Sequence, residues 1–381
     1  MKERVYLDFN ASAPSKPEVI EAVGAAMVAG GNASSVHTRG RQARRAVEEA
    51  RARIAKLVNC RPGEVIFTSC GTESNNLALK GANVTAIAVS AIEHDSTLAA
   101  AQASGTPWLL LPVDEVGLVK MEALEEVVAK TQPPFLVSVM LANNETGVLQ
   151  PITQIAEKVH QKGGLLHTDA IQAAGKVPVD FAALGADMLS LSAHKIGGPQ
   201  GVGALIVREG VELQPRMVGG GQELRRRSGT ENVPGIVGFG RAAELALDDV
   251  EGRARLATLR DALEKSVAGM SPHSTFFSQP VARLPNTANF TMPGVDGSTQ
   301  VMAFDLEGIG ISSGAACASG KVASPRVQMA MGATEEVAGA AIRVSLGPTT
   351  QKADIDRLLA AWQRLWERTQ SSRQAAAAGQ E

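Results

Sequence analysis

Apolar residues along this chain alternate between two spacings. Val19, Ile20, Val23 and Met27 share one face of a predicted helix, and Ser15-Lys16-Pro17-Glu18 has the form of a capping box that starts it at Ser15. Short β-prone runs follow at Val65–Ser69, Ala86–Ser90, Trp108–Leu111, Leu136–Leu141, Leu165–Thr168, Met188–Ser192 and Ala204–Val207, with helical stretches between them. This recurrence predicts an α/β fold. Runs such as Leu136-Val137-Ser138-Val139-Met140-Leu141 are apolar at consecutive positions, which suits strands buried on both faces of a mainly parallel sheet. A helical stretch from about Gly235 to Met270 leads into a C-terminal α+β region. The last helix there keeps Ile355, Leu358, Leu359, Trp362, Leu365 and Trp366 on one face. The expected division is a large domain over 15–255 and a smaller one formed by 1–14 with 256–368. Residues 369–381 form a frayed, flexible tail.

Composition narrows the function. The 381 residues carry 37 Lys plus Arg against 39 Asp plus Glu, a net charge of −2, without the basic excess of a nucleic-acid binder. Aromatic residues make up 3%, too few for base-stacking platforms. The longest apolar runs fall far short of the ~20 residues that span a bilayer, so no membrane segment is expected. The N-terminus lacks the apolar core of a secretory signal, which predicts a cytoplasmic protein. Cys60, Cys70 and Cys317 have neither disulfide-framework nor metal-ligand spacing.

Candidate chemistry gathers after two strands. Lys195 stands in Ser192-Ala193-His194-Lys195-Ile196-Gly197-Gly198-Pro199, where burial would lower its pKa and make it an amine nucleophile or base. Asp169 closes the strand Leu165–Thr168, and ligands in open α/β sheets bind outside the carboxyl ends of strands. A carboxylate for a pyridinium nitrogen and a lysine for a Schiff base form the protein half of pyridoxal phosphate chemistry. The glycine-rich stretches 197–203 and 219–221 match neither a dinucleotide fingerprint nor a P-loop, and are candidates for binding the phosphate of another cofactor.

Several ordered motifs carry a resemblance. They are Tyr6-Leu7-Asp8, Thr68-Ser69-Cys70-Gly71-Thr72-Glu73-Ser74-Asn75, Glu93-His94, Asn143-Asn144-Glu145-Thr146-Gly147, Asp169 to Gln172, Ser192 to Pro199, Arg227-Ser228-Gly229-Thr230, Ser313-Gly314-Ala315-Ala316-Cys317 and Ile342 to Gly347. In this order the chain resembles the pyridoxal phosphate-dependent cysteine desulfurases, within the class V aminotransferase-like, fold type I group and its long-cysteine-loop branch. The resemblance implies pyridoxal 5'-phosphate held by Lys195, with Asp169 on the ring nitrogen, Gln172 on the phenolic oxygen and His94 stacked on the ring. It places Gly71, Thr72, Ser192 and His194 around the phosphate, with Thr230 reaching in from the second subunit of a homodimer. It puts Asn144 beside both the cofactor and the substrate, L-cysteine, whose carboxylate Arg343 binds. Lys195 removes the α-proton, His94 relays protons, and Cys317 takes the sulfur as a persulfide as L-alanine leaves. The implied acceptor is a protein such as an Fe-S scaffold. A class V aminotransferase acting on a small amino acid is the alternative. Gly198 and Leu224 depart from the family pattern, which puts the usual interface contacts near Leu224 in doubt.

Overall fold

The computed structural model describes residues 4–247, 249–277, 279–313 and 325–378. A short N-terminal strand, β1 (Val5–Tyr6), precedes helices α1 (Pro17–Ala29) and α2 (Thr38–Leu57). Then come β2 (Val65–Thr68), α3 (Gly71–Gly81), β3 (Ile87–Ser90), α4 (Asp95–Gln102), β4 (Trp108–Leu111), β5 (Leu136–Ser138), β6 (Leu165–Asp169), β7 (Met188–Ser192) and β8 (Gly203–Val207). Strands β2 to β8 form one seven-stranded sheet in the order β2-β8-β7-β6-β5-β3-β4. β7, β6, β5, β3 and β4 run parallel, while β8 lies antiparallel to both of its neighbours.

The apolar runs explain this sheet. Val65 and Phe67 of β2 pack into one core cluster and Ile66 into another. Leu189 and Leu191 of β7 likewise oppose Met188, and Ala204 and Ile206 of β8 oppose Leu205 and Val207. Side chains alternate faces with period two, so a run that is apolar at both parities feeds a core on each side.

A separate cluster gathers the C-terminal part of the chain. β9 (Thr287–Thr291), β10 (Ile309–Gly310), β11 (Ser312–Ser313) and β12 (Ala341–Ser345) form a β11-β12-β9 antiparallel sheet and a parallel β1-β10 pair. Ile355, Leu358, Trp362 and Leu365 of the last helix are buried there with Val5, Leu7 and Phe290.

Four details differ from the expectations. α1 starts at Pro17, with Lys16 as N-cap and no side-chain cap bond, so Ser15 does not cap it. The fixed φ of proline suits the first helical position and sets the start instead. Ile20 and Met27 are exposed, leaving Val19 as the buried anchor of that face. The stretch from Gly235 to Met270 is two helices, Val233–Leu247 and Val250–Met270, with Asp249 as the N-cap of the second. Asp249 makes no side-chain cap bond, and the break there fits the low preference of aspartate for helix interiors. The last helix runs Lys352–Ala378, past Thr369 where a frayed tail was expected, because Ala, Gln and Arg are strong helix formers. No helix among the described residues is long and apolar enough to cross a membrane.

Candidate active site

Because β3, β5, β6 and β7 are parallel, their carboxyl ends lie along one edge of the sheet. The segments leaving them carry His94, Asn144, Asp169 with Gln172, and Ser192 to Lys195. β2 leads at the same edge into Cys70 and α3. These residues line a cavity of about 310 Å³ together with Asn10, Ala11, Gly71, Thr72, Ser96, Met140, Ile171, Ser312 and Arg343. The N-terminus of α3, where the first amides lack intrahelical acceptors, opens onto it at Gly71 and Thr72. A Cβ on Gly71 would lie 2.2 Å from Ile171 Cδ1, so glycine lets the floor approach the helix.

Asp169 is held in an ordered carboxylate geometry. Asn75 Nδ2 donates to its Oδ2 at 2.8 Å and the Ile171 amide to its Oδ1 at 2.9 Å. Burial pushes its pKa upward, while these donors and the nearby His94 and Lys195 pull the other way. Asn75 also donates to Ser96 Oγ at 3.0 Å. Ser96 anchors His94 in turn, its hydroxyl 2.8 Å from Nδ1 and its amide donating to Nδ1 at 3.1 Å. The acceptor role of Nδ1 leaves the proton of a neutral ring to Nε2. Next to His94, the buried carboxyl of Glu93 is pushed up to about 8 by burial and by Asp169, and it accepts bonds from Ser90 and the Met140 amide.

The opposite wall comes from the N-terminal segment. Lys195 Nζ donates to the carbonyls of Asn10 and Ala11 at 2.6 and 3.0 Å. Burial and the Arg343 cation lower its pKa to about 8. His194, beside it, is lowered to about 4 by burial and by the nearby Lys195 and Lys176, which favours a neutral ring. Arg343 on β12 is buried, and its fork is engaged: Nη2 meets Asp8 at 2.7 Å and Ser312 Oγ at 3.1 Å, while Nη1 donates to the Asn144 carbonyl at 3.0 Å. Its buried Nε has no hydrogen-bond partner. A carboxylate arriving here would exchange places with Asp8.

Lys195, His94, Gly71, Thr72, Asn144, Asp169, Gln172, Ser192, His194 and Arg343 thus meet in one cavity. Thr230 is exposed and outside its lining. Cys317 lies outside the described residues. The glycine-rich stretches do not line the cavity, contrary to expectation. Their glycines serve close packing: a Cβ on Gly203 would meet the Cys70 backbone at 2.7 Å, and one on Gly198 would meet Ala193 at 2.8 Å. Sequence reasoning gave no role to Asn10, Asn75 or Ser96. Asn75 follows Gly71 by four residues, one helical turn, a spacing that could have placed it on the cavity side.

The cavity suits a phosphate-bearing aldehyde cofactor. A helix N-terminus, the Arg343 guanidinium and the depressed-pKa amine of Lys195 face the single buried carboxylate of the lining, Asp169, with room between them. The family model described as Aminotransferase class-V matches residues 5–358. A protein named cysteine desulfurase from Cereibacter sphaeroides is 43% identical over 94% of each chain. Among solved structures, a NifS-like protein from Rickettsia africae ESF-5 is 37% identical with a TM-score of 0.89, covering 96% of this chain and 100% of its own. SspA in complex with cysteine is 32% identical with a TM-score of 0.78, covering 91% and 100%. With the sheet, the cavity and the near-complete match in agreement, the chain belongs to the class-V aminotransferase family.

Proposed function

We propose that this protein is a cysteine desulfurase that converts L-cysteine to L-alanine and passes the sulfur, as a persulfide on Cys317, to a protein acceptor such as an Fe-S scaffold in the cytoplasm. The observation that carries the reading is the pairing of Lys195, its amine lowered to about 8, with the buried carboxylate of Asp169 across one cationic cavity. The kinship with proteins named cysteine desulfurase supports it.

The residues present fit pyridoxal 5'-phosphate, which when bound supplies an electron sink for bond breaking at the substrate's α-carbon. Gly71 and Thr72 at the α3 N-terminus, with Ser192 and His194, would hold the phosphate. Asp169 would keep a proton on the ring nitrogen, and Gln172 would donate to the phenolic oxygen. His94, fixed by Ser96, would lie against the ring and move a proton at the substrate thiol through Nε2. Lys195 takes the α-proton, a task matched to an amine that is partly neutral near neutral pH. Arg343 and Asn144 orient the substrate carboxylate. At Cys317 a sulfur–sulfur bond forms as the substrate's carbon–sulfur bond breaks, and the electron pair left on carbon takes a proton to give alanine.

We read the enzyme as a homodimer in which Thr230 of each subunit completes the other's phosphate site. Mixed Lys195→Ala and Thr230→Ala subunits would then recover activity that neither variant has alone. The function is tested by incubating the protein with pyridoxal 5'-phosphate and cysteine in the absence of any 2-oxo acid. Alanine should form, and Lys195→Ala should form none. Alanine production that depends on a 2-oxo acid acceptor would favour an aminotransferase and overturn the reading.

A further inference from the structure

Behind Lys195 lies a second amine. Lys176 Nζ donates to Asn10 Oδ1 at 2.7 Å and to Gln172 Oε1 at 2.5 Å. Both partners are neutral amides. The residue is half-buried and lines, together with Lys195, a second cavity of about 220 Å³. Burial and the cations of Lys195 and Arg343 push the amine well below the ordinary lysine range. A neutral amine keeps two N–H donors, one for each amide oxygen, and an ammonium has three, so Lys176 donates to both partners in either state.

The two ends of a side-chain amide have nearly the same shape, and partner chemistry decides which way it points. A donor at Lys176 draws both amide oxygens toward itself and turns both amide nitrogens away. Asn10 Nδ2 accordingly reaches the Asn144 carbonyl at 3.2 Å and Thr287 Oγ1 at 2.9 Å. Gln172 Nε2 turns to the Asn10 carbonyl at 2.9 Å, the same oxygen that receives Lys195 Nζ. Gln172 also lines the active-site cavity, so its orientation determines whether the cavity meets a donor or an acceptor there.

We propose that Lys176 is a positioning residue that fixes the Gln172 amide with its N–H groups on the Lys195 side, so that the phenolic oxygen of bound pyridoxal 5'-phosphate meets a donor. The inference rests on the cofactor reading above and deepens it.

The test uses holoprotein of wild type, Lys176→Met, Gln172→Ala and the double variant, following the visible band of the bound cofactor against pH. Methionine replaces the side chain up to the amine with an unbranched chain that has no donor, leaving Gln172 free to turn. Without an N–H on it, the anionic phenolic oxygen holds a proton more tightly, so the pH midpoint of the band rises by roughly one unit in Lys176→Met. Gln172→Ala should raise it similarly, and the double variant should go no further than Gln172→Ala. An unchanged midpoint in Lys176→Met overturns the proposal. So does an equal added shift in the Gln172→Ala background, which would mean that Lys176 acts independently of Gln172. Should Lys176→Met fail to fold, Lys176→Gln, which retains an N–H donor, replaces it: a smaller shift that vanishes in the Gln172→Ala background supports the proposal, and one that persists there overturns it. If the wild type develops no visible band with pyridoxal 5'-phosphate, the cofactor reading itself fails and the inference falls with it.

Discussion

Replacing Asn75 with leucine separates the electrostatics of the site from its folding. The side chain is fully buried, and both of its N–H groups are used, on Asp169 Oδ2 and Ser96 Oγ, while its Oδ1 is buried without a partner. Leucine fills a similar space and removes that orphaned acceptor along with the two donors. The gain and loss oppose each other, so stability should change by no more than about 1 kcal/mol. The carboxylate of Asp169 fares differently. A hydrogen bond to a charged group is worth roughly 1.5–3 kcal/mol, and its loss disfavours the ionised form. At roughly 1.4 kcal/mol per pH unit, the Asp169 pKa should rise by about one to two units. In the proposed role turnover needs Asp169 ionised, so the acid limb of kcat for alanine formation should move up in pH by that amount, with the thermal midpoint nearly unchanged. His94 loses its link to Asp169 in the same variant, so kcat on the plateau should fall as well. A folded Asn75→Leu protein whose acid limb coincides with wild type would refute the account of how Asp169 is held.

Other outcomes follow from the same contacts. Only the neutral Lys195 amine attacks an aldehyde, so the capture rate of pyridoxal 5'-phosphate by apoprotein should rise with pH through a midpoint near 8. Arg343→Met removes a cation that depresses this amine and should move the midpoint upward; an unmoved midpoint in stopped-flow absorbance would contradict that cause. Glu223 receives both terminal nitrogens of the buried Arg51, at 2.8 and 2.9 Å, and the Phe67 amide. Glu223→Ala takes away the buried carboxylate and leaves that guanidinium only the more exposed Glu48 and the Val65 carbonyl, which should cost up to about 3 kcal/mol by urea denaturation, most of it recovered in an Arg51→Met, Glu223→Ala double variant. Trp362, fully buried in the C-terminal core, should cost about 3–5 kcal/mol when replaced by alanine, with little effect on cofactor capture.

The sheet was legible because its strands are apolar at both parities, a pattern that local sequence displays in full. Strand ends were less so. The run Leu136–Leu141 leaves the full ladder after Ser138, where the Met140 amide turns to the Glu93 carboxylate, a contact between residues far apart in the chain. Lys195, Asp169 and His94 were legible through their motifs and their places after strands. Asn10 was not, since its role comes from bonds to Thr287, Lys176 and Asn144 that only tertiary folding assembles. The glycine-rich stretches misled because glycine signals close packing and phosphate binding with the same residue; at Gly203 the neighbour is the Cys70 backbone. Leu224, flagged as a departure, sits exposed at φ +57° between Glu223 and Arg225, which also have positive φ. That strained turn presents the buried carboxylate of Glu223 to Arg51.

The central claim is that sulfur leaves cysteine onto Cys317. Holoprotein given less than one equivalent of L-cysteine, without reductant or acceptor, should yield alanine in equal amount to persulfide, with the added sulfur found by mass spectrometry on the peptide containing Cys317. Cys317→Ser should bind the cofactor normally and give neither product in that stoichiometry. Persulfide found on Cys70, which borders the same cavity, or on Cys60, or alanine released at the wild-type rate by Cys317→Ser, would contradict the account.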